Sequence, residues 1–229
     1  ACLVGSEMCI RDSLSPITYQ PTLMVGFNRR FSPFVIETKK FFEHRVGPMV
    51  INYRINAGYL PPNHWLHNPQ EGGGRIVGEV CHFVDLLQYL TSASPAEVSA
   101  MTLNHPDKSI PAEDNVLITL KFSDGSVGTI NYSSIGDVSY PRERIEIFGE
   151  NSVAVVDNFR AAIFSRAGSA RKMHRFGRDM GHKNEILLFI DSLKNGNKSI
   201  IPFNEIVLST LTTFKILESL REKTLIKID

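Results

Sequence analysis

Cysteine, tryptophan and charge of one sign are all scarce in this 229-residue chain. Its three cysteines, Cys2, Cys9 and Cys81, do not make a disulfide framework, and Cys81 falls inside an apolar helical pattern. That usage fits a reducing compartment, the cytoplasm. Twenty-five Lys and Arg face 24 Asp and Glu, for a net charge of +1. Nothing in this balance calls for nucleic acid or an anionic membrane as a partner. The longest apolar runs, such as Thr22–Phe27, fall far short of the roughly 20 residues that span a bilayer. No Gly-x-Gly-x-x-Gly follows a strand, and there is neither a Gly-Lys-Ser/Thr phosphate loop nor a Gly-x-Ser-x-Gly elbow. These gaps remove support for a dinucleotide fingerprint, a P-loop and a nucleophile-based hydrolase.

What is present centres on Gly72-Gly73-Gly74 and the helix after it. Ile76, Val77, Val80, Phe83, Val84, Leu87 and Leu90 recur at helical spacing and define an apolar face. Gly78, His82 and Asp85 lie on another, with Glu79 three residues before His82. Glycines opening a helix let its first turn approach a backbone or a ligand closely. The Glu79-x-x-His82-x-x-Asp85 row admits a metal site, but carboxylate-bridged bundles need a second such helix, and this chain is mostly strand, so no metal is expected. Two readings stay open on spacing alone: His82 as general acid or base, its ordinary pKa lying near neutrality, or His82 as a satisfied core histidine beside a plain helix charge.

Along the chain, Thr22–Phe27 reads as a buried strand leading to Asn28-Arg29-Arg30. Ser32-Pro33 starts a helix that runs to about His44, with serine as N-cap. Residues 48–57 alternate Val50, Asn52, Arg54 and Asn56 against Ile51, Tyr53 and Ile55, which gives one unusually polar face suited to binding. A long loop over 58–74 holds the single tryptophan, Trp65, whose indole suits packing or stacking on a sugar ring. Strands are expected over 97–103, 115–122, 126–133, 143–148 and 152–156, with Ser123-Asp124-Gly125 as a hairpin turn, and further strands over 159–165 and 171–176. Helices over 182–194 and 203–223 would cover one face of this sheet, and 224–227 would close it. The basic run from Arg166 to Arg178 reads as a solvated strand face or an anion site. The fold class is therefore α+β, a large open, mainly antiparallel sheet covered by helices on one face.

In order, Val25-Gly-Phe-Asn-Arg-Arg-Phe-Ser-Pro33, the Trp65 loop running into Gly72-Gly73-Gly74, His82-x-x-Asp85, Asp124-Gly125, Ile147-Phe-Gly149, Gly181-His-Lys-Asn-Glu185 with Phe189, and the Pro202 helix resemble one family. It is the C-terminal domain of the oxidoreductases named after glucose-fructose oxidoreductase, inositol dehydrogenase and MocA. The resemblance covers nearly everything from Thr22 onward. It implies hydride transfer between NAD or NADP and a CH–OH group of a sugar, sugar acid or cyclitol, and a homo-oligomer formed through the sheet. It further implies that Thr22–Phe27 is the last strand of a Rossmann domain. Residues 14–28 are then a remnant of the dinucleotide-binding domain, 29–229 the substrate and oligomerisation domain, and 1–13, which resemble translated adapter sequence, a non-native or disordered leader. A chain of this form is expected to be inactive alone, because the family's Glu-Lys-Pro lysine and its glycine-rich cofactor loop do not occur in it.

By the same resemblance His82 is the acid/base residue, and Glu79 substitutes for an aspartate that many members carry four residues before the histidine, where this chain has Gly78. Asn28, Arg30, Trp65, Asp85, His182 and Lys183 are expected on the substrate side, and Gly73 and Gly74 beside the cofactor. The rival is a non-catalytic binding or dimerisation module built on the open sheet.

Overall fold

The computed structural model describes residues 22–68, 70–107, 110–195 and 199–228. The leader over 1–13 lies outside them. Nine strands form one sheet: β1 (Val50–Asn56), β2 (Pro95–Thr102), β3 (Asn115–Phe122), β4 (Val127–Ser133), β5 (Glu143–Gly149), β6 (Ser152–Asp157), β7 (Ala161–Arg166), β8 (Ser169–His174) and β9 (Ile226–Lys227). Four α-helices accompany them: α1 (Pro33–Phe41), α2 (Cys81–Thr91), α3 (His182–Lys194) and α4 (Phe203–Glu222).

The strand order is β8-β7-β6-β5-β1-β4-β3-β2-β9. Every pairing is antiparallel except β1 with β4, where Ile51 sits opposite Gly128 and Tyr53 opposite Ile130. The two hairpin meanders, β2 to β4 and β5 to β8, are thus joined through β1 as a central strand. Period-2 alternation gives the sheet two unlike faces. One carries Ile51, Tyr53, Ile55, Ile118, Leu120, Ile130, Tyr132, Ile145 and Ile147, all buried under α1, α2 and α4. The other carries Val50, Met101, Leu117, Phe148 and Ile163, all exposed. The polar face of β1 lies on that outer side, and Tyr53, from the apolar face, is the strand's contribution to the site described below.

Three sequence expectations change. Thr22–Phe27 joins no ladder among the described residues. Its alternating Leu23, Val25 and Phe27 instead pack on Phe31, Ile201, Ile206 and Cys81, a small cluster apart from the main core. Period 2 is the mark of one buried face, and a second apolar surface satisfies it without a strand partner. The helix α3 does not cover the sheet: it rests on the 3₁₀ turn Asn28–Phe31 and leaves Ile186, Leu187, Leu188, Ile190 and Leu193 exposed. Finally, Ser32 donates its hydroxyl to Asp179 O at 2.7 Å and makes no cap bond with its own helix, where Pro33 alone marks the first turn.

Candidate active site

The turn Asn28–Phe31 sends its two arginines in opposite directions. Arg29 donates through Nε and Nη2 to the two carboxylate oxygens of Glu143, each at 2.9 Å. Tyr53 donates its hydroxyl to the same carboxylate, and the Arg29 guanidinium lies 4.8 Å from the centre of the Phe83 ring. Burial would raise the Glu143 pKa, but the charge and hydrogen bonds of Arg29 and the Tyr53 hydroxyl outweigh it and hold the carboxyl below its usual range.

Arg30 turns the other way, forking onto both oxygens of Asp85 and donating from Nη1 to Glu205 at 2.8 Å. Burial pushes the Asp85 carboxyl up to about 6 against the pull of Arg30, so it stays ionised at neutral pH. Both residues are buried, and neither lines the cleft that holds His82, so their role on the substrate side is not supported: they rivet α2 to the turn. Asn28 does reach the cleft, while its Nδ2 donates to Met180 O at 2.8 Å.

That cleft, about 450 Å³, is lined by Asn28, Arg29, Glu79, His82, Arg142 and His182, with Arg178 at its edge. His82 presents its ring edge-on to Phe27 at 5.6 Å, its Nδ1 is buried without a partner, and neither ring nitrogen has a protein hydrogen bond among the described residues. Burial, reinforced by the Arg29 charge, lowers its pKa to about 3. The imidazole is therefore neutral through the physiological range, with a ring nitrogen open to a hydrogen bond from a hydroxyl. Glu79 shares the cleft: its carboxylate accepts from the Tyr132 hydroxyl at 2.5 Å and lies 3.4 Å from Arg142 and 3.5 Å from Arg75.

Gly78 has a packing reason. A Cβ there would lie 2.6 Å from Leu66 Cδ1 and 3.2 Å from Gly72 O, so the Trp65 loop occupies the space in which an aspartate would begin. Residues Ile76–Val80 form a π-turn running directly into α2, and the carboxylate that reaches the cleft is Glu79, one residue later. π-turns of this kind cluster at functional sites.

Among the other expected residues, His182 reaches the cleft because Gly181 starts α3 at φ +91, with its Cα so close to the turn that a Cβ would meet Asn28 O at 2.3 Å. Lys183, beside it, is exposed and lines no cleft with His82. Trp65 is 59% exposed and leans on His64 at 5.6 Å rather than on the cleft. Gly73 and Gly74, at φ +68 and +83, supply the left-handed turn before the helix. Gly74 borders a different cleft with His67, Arg75 and Asp114, so the structure does not bring these glycines to His82. Glu79, His82 and Asp85 do not converge either, since Asp85 faces Arg30.

Sequence reasoning weighed Arg29 with Asn28 and Arg30 as ligand groups but left it off the substrate side, and it passed over Tyr53, Glu143 and Arg142. The last three sit in or beside strands, where alternation predicts a face but not a partner across the sheet. The basic run is mostly what a solvated face should be, with β8 exposed almost throughout; Arg178, beyond the strand, is the member that enters the cleft.

One further buried carboxyl lies at the start of α3. Glu185 leaves Oε1 without a partner among the described residues, and burial, with Asp85 adding, pushes its pKa up to about 7. The folded pKa exceeds the unfolded one, so its contribution to stability is complete below about 4.5 and is lost as pH rises through 7. Glu185→Gln is expected to gain about 1 kcal/mol over the native chain at pH 8 relative to pH 5. Urea midpoints at the two pH values measure this, and an equal effect at both would count against a buried neutral carboxyl.

Residues 47–155 match the model of the GFO/IDH/MocA C-terminal domain. The chain is 29% identical over 143 residues to the uncharacterised oxidoreductase YrbE of Bacillus subtilis, covering 61% of this chain and 41% of that protein. It is 27% identical over 186 residues to inositol 2-dehydrogenase of Rhizobium meliloti, covering 76% and 55%. It therefore spans about half the length of the curated relatives it matches. Among solved structures, levoglucosan dehydrogenase in complex with NADH and levoglucosan superposes with a TM-score of 0.75 at 19% identity, over 90% of this chain and 66% of that one. An oxidoreductase domain protein from Kribbella flavida superposes with a TM-score of 0.78 at 17% identity, over 90% and 65%. At these identities the structures establish a shared fold, while the domain match and the two relatives carry the likeness: residues 47–155 match the GFO/IDH/MocA C-terminal domain, and the chain is similar to oxidoreductases that contain it.

Proposed function

We propose that this chain is the substrate-binding and catalytic half of an NAD(P)-dependent oxidoreductase acting on a CH–OH group of a sugar, sugar acid or cyclitol. The observation that carries the reading is His82: a neutral imidazole on the wall of a sugar-sized cleft, with no protein partner at either nitrogen among the described residues. In the oxidative direction the substrate hydroxyl gives its proton to His82 while the carbon-bound hydrogen leaves as hydride, and a carbonyl remains. The nicotinamide, when bound, supplies the hydride acceptor. Asn28, Glu79 and His182 offer hydrogen-bonding groups for the remaining hydroxyls, and Phe83 an apolar wall. The cleft fits a substrate rather than a whole dinucleotide, and the 229 residues contain no glycine-rich phosphate loop, so NAD or NADP is held chiefly by a dinucleotide-binding domain. The exposed apolar residues of the open sheet face support self-association through that face.

The test is reduction of NAD or NADP by a version of the chain carrying a dinucleotide-binding domain, offered myo-inositol, levoglucosan, glucose and gluconate in turn. Turnover of at least one is expected. Bound cofactor without turnover of any would favour the non-catalytic module.

A further inference from the structure

A second cleft, of about 390 Å³, opens beside the first and shares Arg142 and Arg178 with it. Arg160, Asn158, Asn56, Ser139 and Tyr140 complete the polar part of its wall, and no Asp or Glu lines it. We propose that the substrate carries an anionic substituent, a carboxylate or a phosphoryl group, which this side cleft holds through Arg178 and Arg142. The inference rests on the reading above that the His82 cleft takes a sugar or cyclitol, and it narrows that class to charged members.

The argument is one of charge and of donors. Glu143 is saturated: Arg29 takes both its oxygens at 2.9 Å and Tyr53 donates to one of them. Arg142 and Arg178 approach the same carboxylate only to 3.9 and 4.0 Å, outside hydrogen-bond reach. Glu79 is divided between Arg75 at 3.5 Å and Arg142 at 3.4 Å. Three guanidinium groups, those of Arg29, Arg142 and Arg178, therefore meet two carboxylates in the paired clefts, and one of those carboxylates is further shared with Arg75. Arg178 is left with the Met180 sulfur as its hydrogen-bond acceptor, and Arg160 makes no ion pair among the described residues.

Burial holds Arg178 below its ordinary pKa despite Glu143, and Arg142 and Arg29 press in the same direction, as expected where positive charge is in excess. Guanidinium groups only donate, and they match carboxylate and phosphate oxygens in forked pairs. A neutral polyol would leave the surplus charge uncompensated in a site partly removed from water, whereas an anion neutralises it.

Calorimetric titration of the chain at low salt, with gluconate, glucuronate and glucose 6-phosphate against glucose and myo-inositol, tests this. At least one anionic probe should bind roughly tenfold or more tightly than its neutral counterpart, with the preference shrinking as salt is raised. The carboxylate and phosphate arms show which anion is taken. Arg178→Gln should cost the preferred anion about 10–100-fold in affinity, and at least fivefold more than it costs a neutral probe, with Arg178→Lys retaining part of the preference. Arg160→Gln, at the exposed rim, gives a smaller loss in the same direction and decides the matter should Arg178→Gln fail to fold. Equal binding of neutral and charged probes overturns the proposal and leaves the sugar reading standing. Binding of none overturns both. A loss confined to NADH or NADPH affinity, measured with a dinucleotide-binding domain present, assigns the arginines to the cofactor and overturns the proposal as well.

Discussion

Replacing His82 with glutamine is expected to lower kcat/KM by about 10²–10⁴-fold in a version of the protein that binds cofactor, the usual weight of a positioned acid or base. Glutamine keeps the side chain polar and of similar reach but cannot take up a proton. The loss should fall mainly on kcat, because hydrogen-bonding groups of Asn28, Glu79 and His182 remain to hold substrate. The pH profile adds a readout that a merely structural histidine would not move. The kcat/KM profile reports the free enzyme, in which burial and the Arg29 charge lower the His82 pKa to about 3. The acid limb that disappears in the variant should therefore lie well below 6.5. Unchanged steady-state rates in a correctly folded His82→Gln protein would sink the catalytic reading and favour a binding module.

Much of the fold was legible because most strands bury one face and the covering helices show an apolar stripe. The β3–β4 hairpin is written in Asp124-Gly125, and α4 in the helical spacing of Ile206, Thr210, Phe214 and Leu217, of which Ile206 and Thr210 are buried and Phe214 stays exposed. The parallel contact of β1 with β4 was not legible, since alternation along β1 is the same whichever strand lies beside it. Nor was the fate of α3, whose apolar row resembles a core face and yet stays exposed.

The site was legible only in part, and adjacent residues show why. Arg29 and Arg30 are indistinguishable by composition, but a tight 3₁₀ turn points one toward the cleft and the other into a buried clamp. Asp85 shares a helical face with His82 on spacing, and its side chain is nevertheless claimed by Arg30 from outside the helix. Gly78 looked like an empty carboxylate position. Leu66 fills that space, and the π-turn beside it delivers Glu79 instead, a shift by one residue that no 3.6-residue period foretells. Long-range partners decide these cases, and Arg29 and Glu143 stand 114 residues apart.

That pair carries the largest expected effect on stability. Glu143→Ala should cost about 3–5 kcal/mol, because it strands a buried guanidinium and removes the acceptor of a fully buried Tyr53 hydroxyl. Arg29→Met should be similarly costly, as it leaves Glu143 ionised in a site where its side chain is fully shielded from solvent. The double variant is the informative one. With both charges gone, neither remains uncompensated, and Phe83, which stacks on Arg29 in the native protein, offers methionine an apolar neighbour. Its loss should fall below the sum of the single losses by 1 kcal/mol or more, within the range of couplings between contacting residues. Chemical denaturation of the four proteins at neutral pH measures this. Strictly additive losses would mean that the two side chains act on stability independently, and that the ion pair is not what fixes the turn Asn28–Phe31 against β5 at the edge of the His82 cleft.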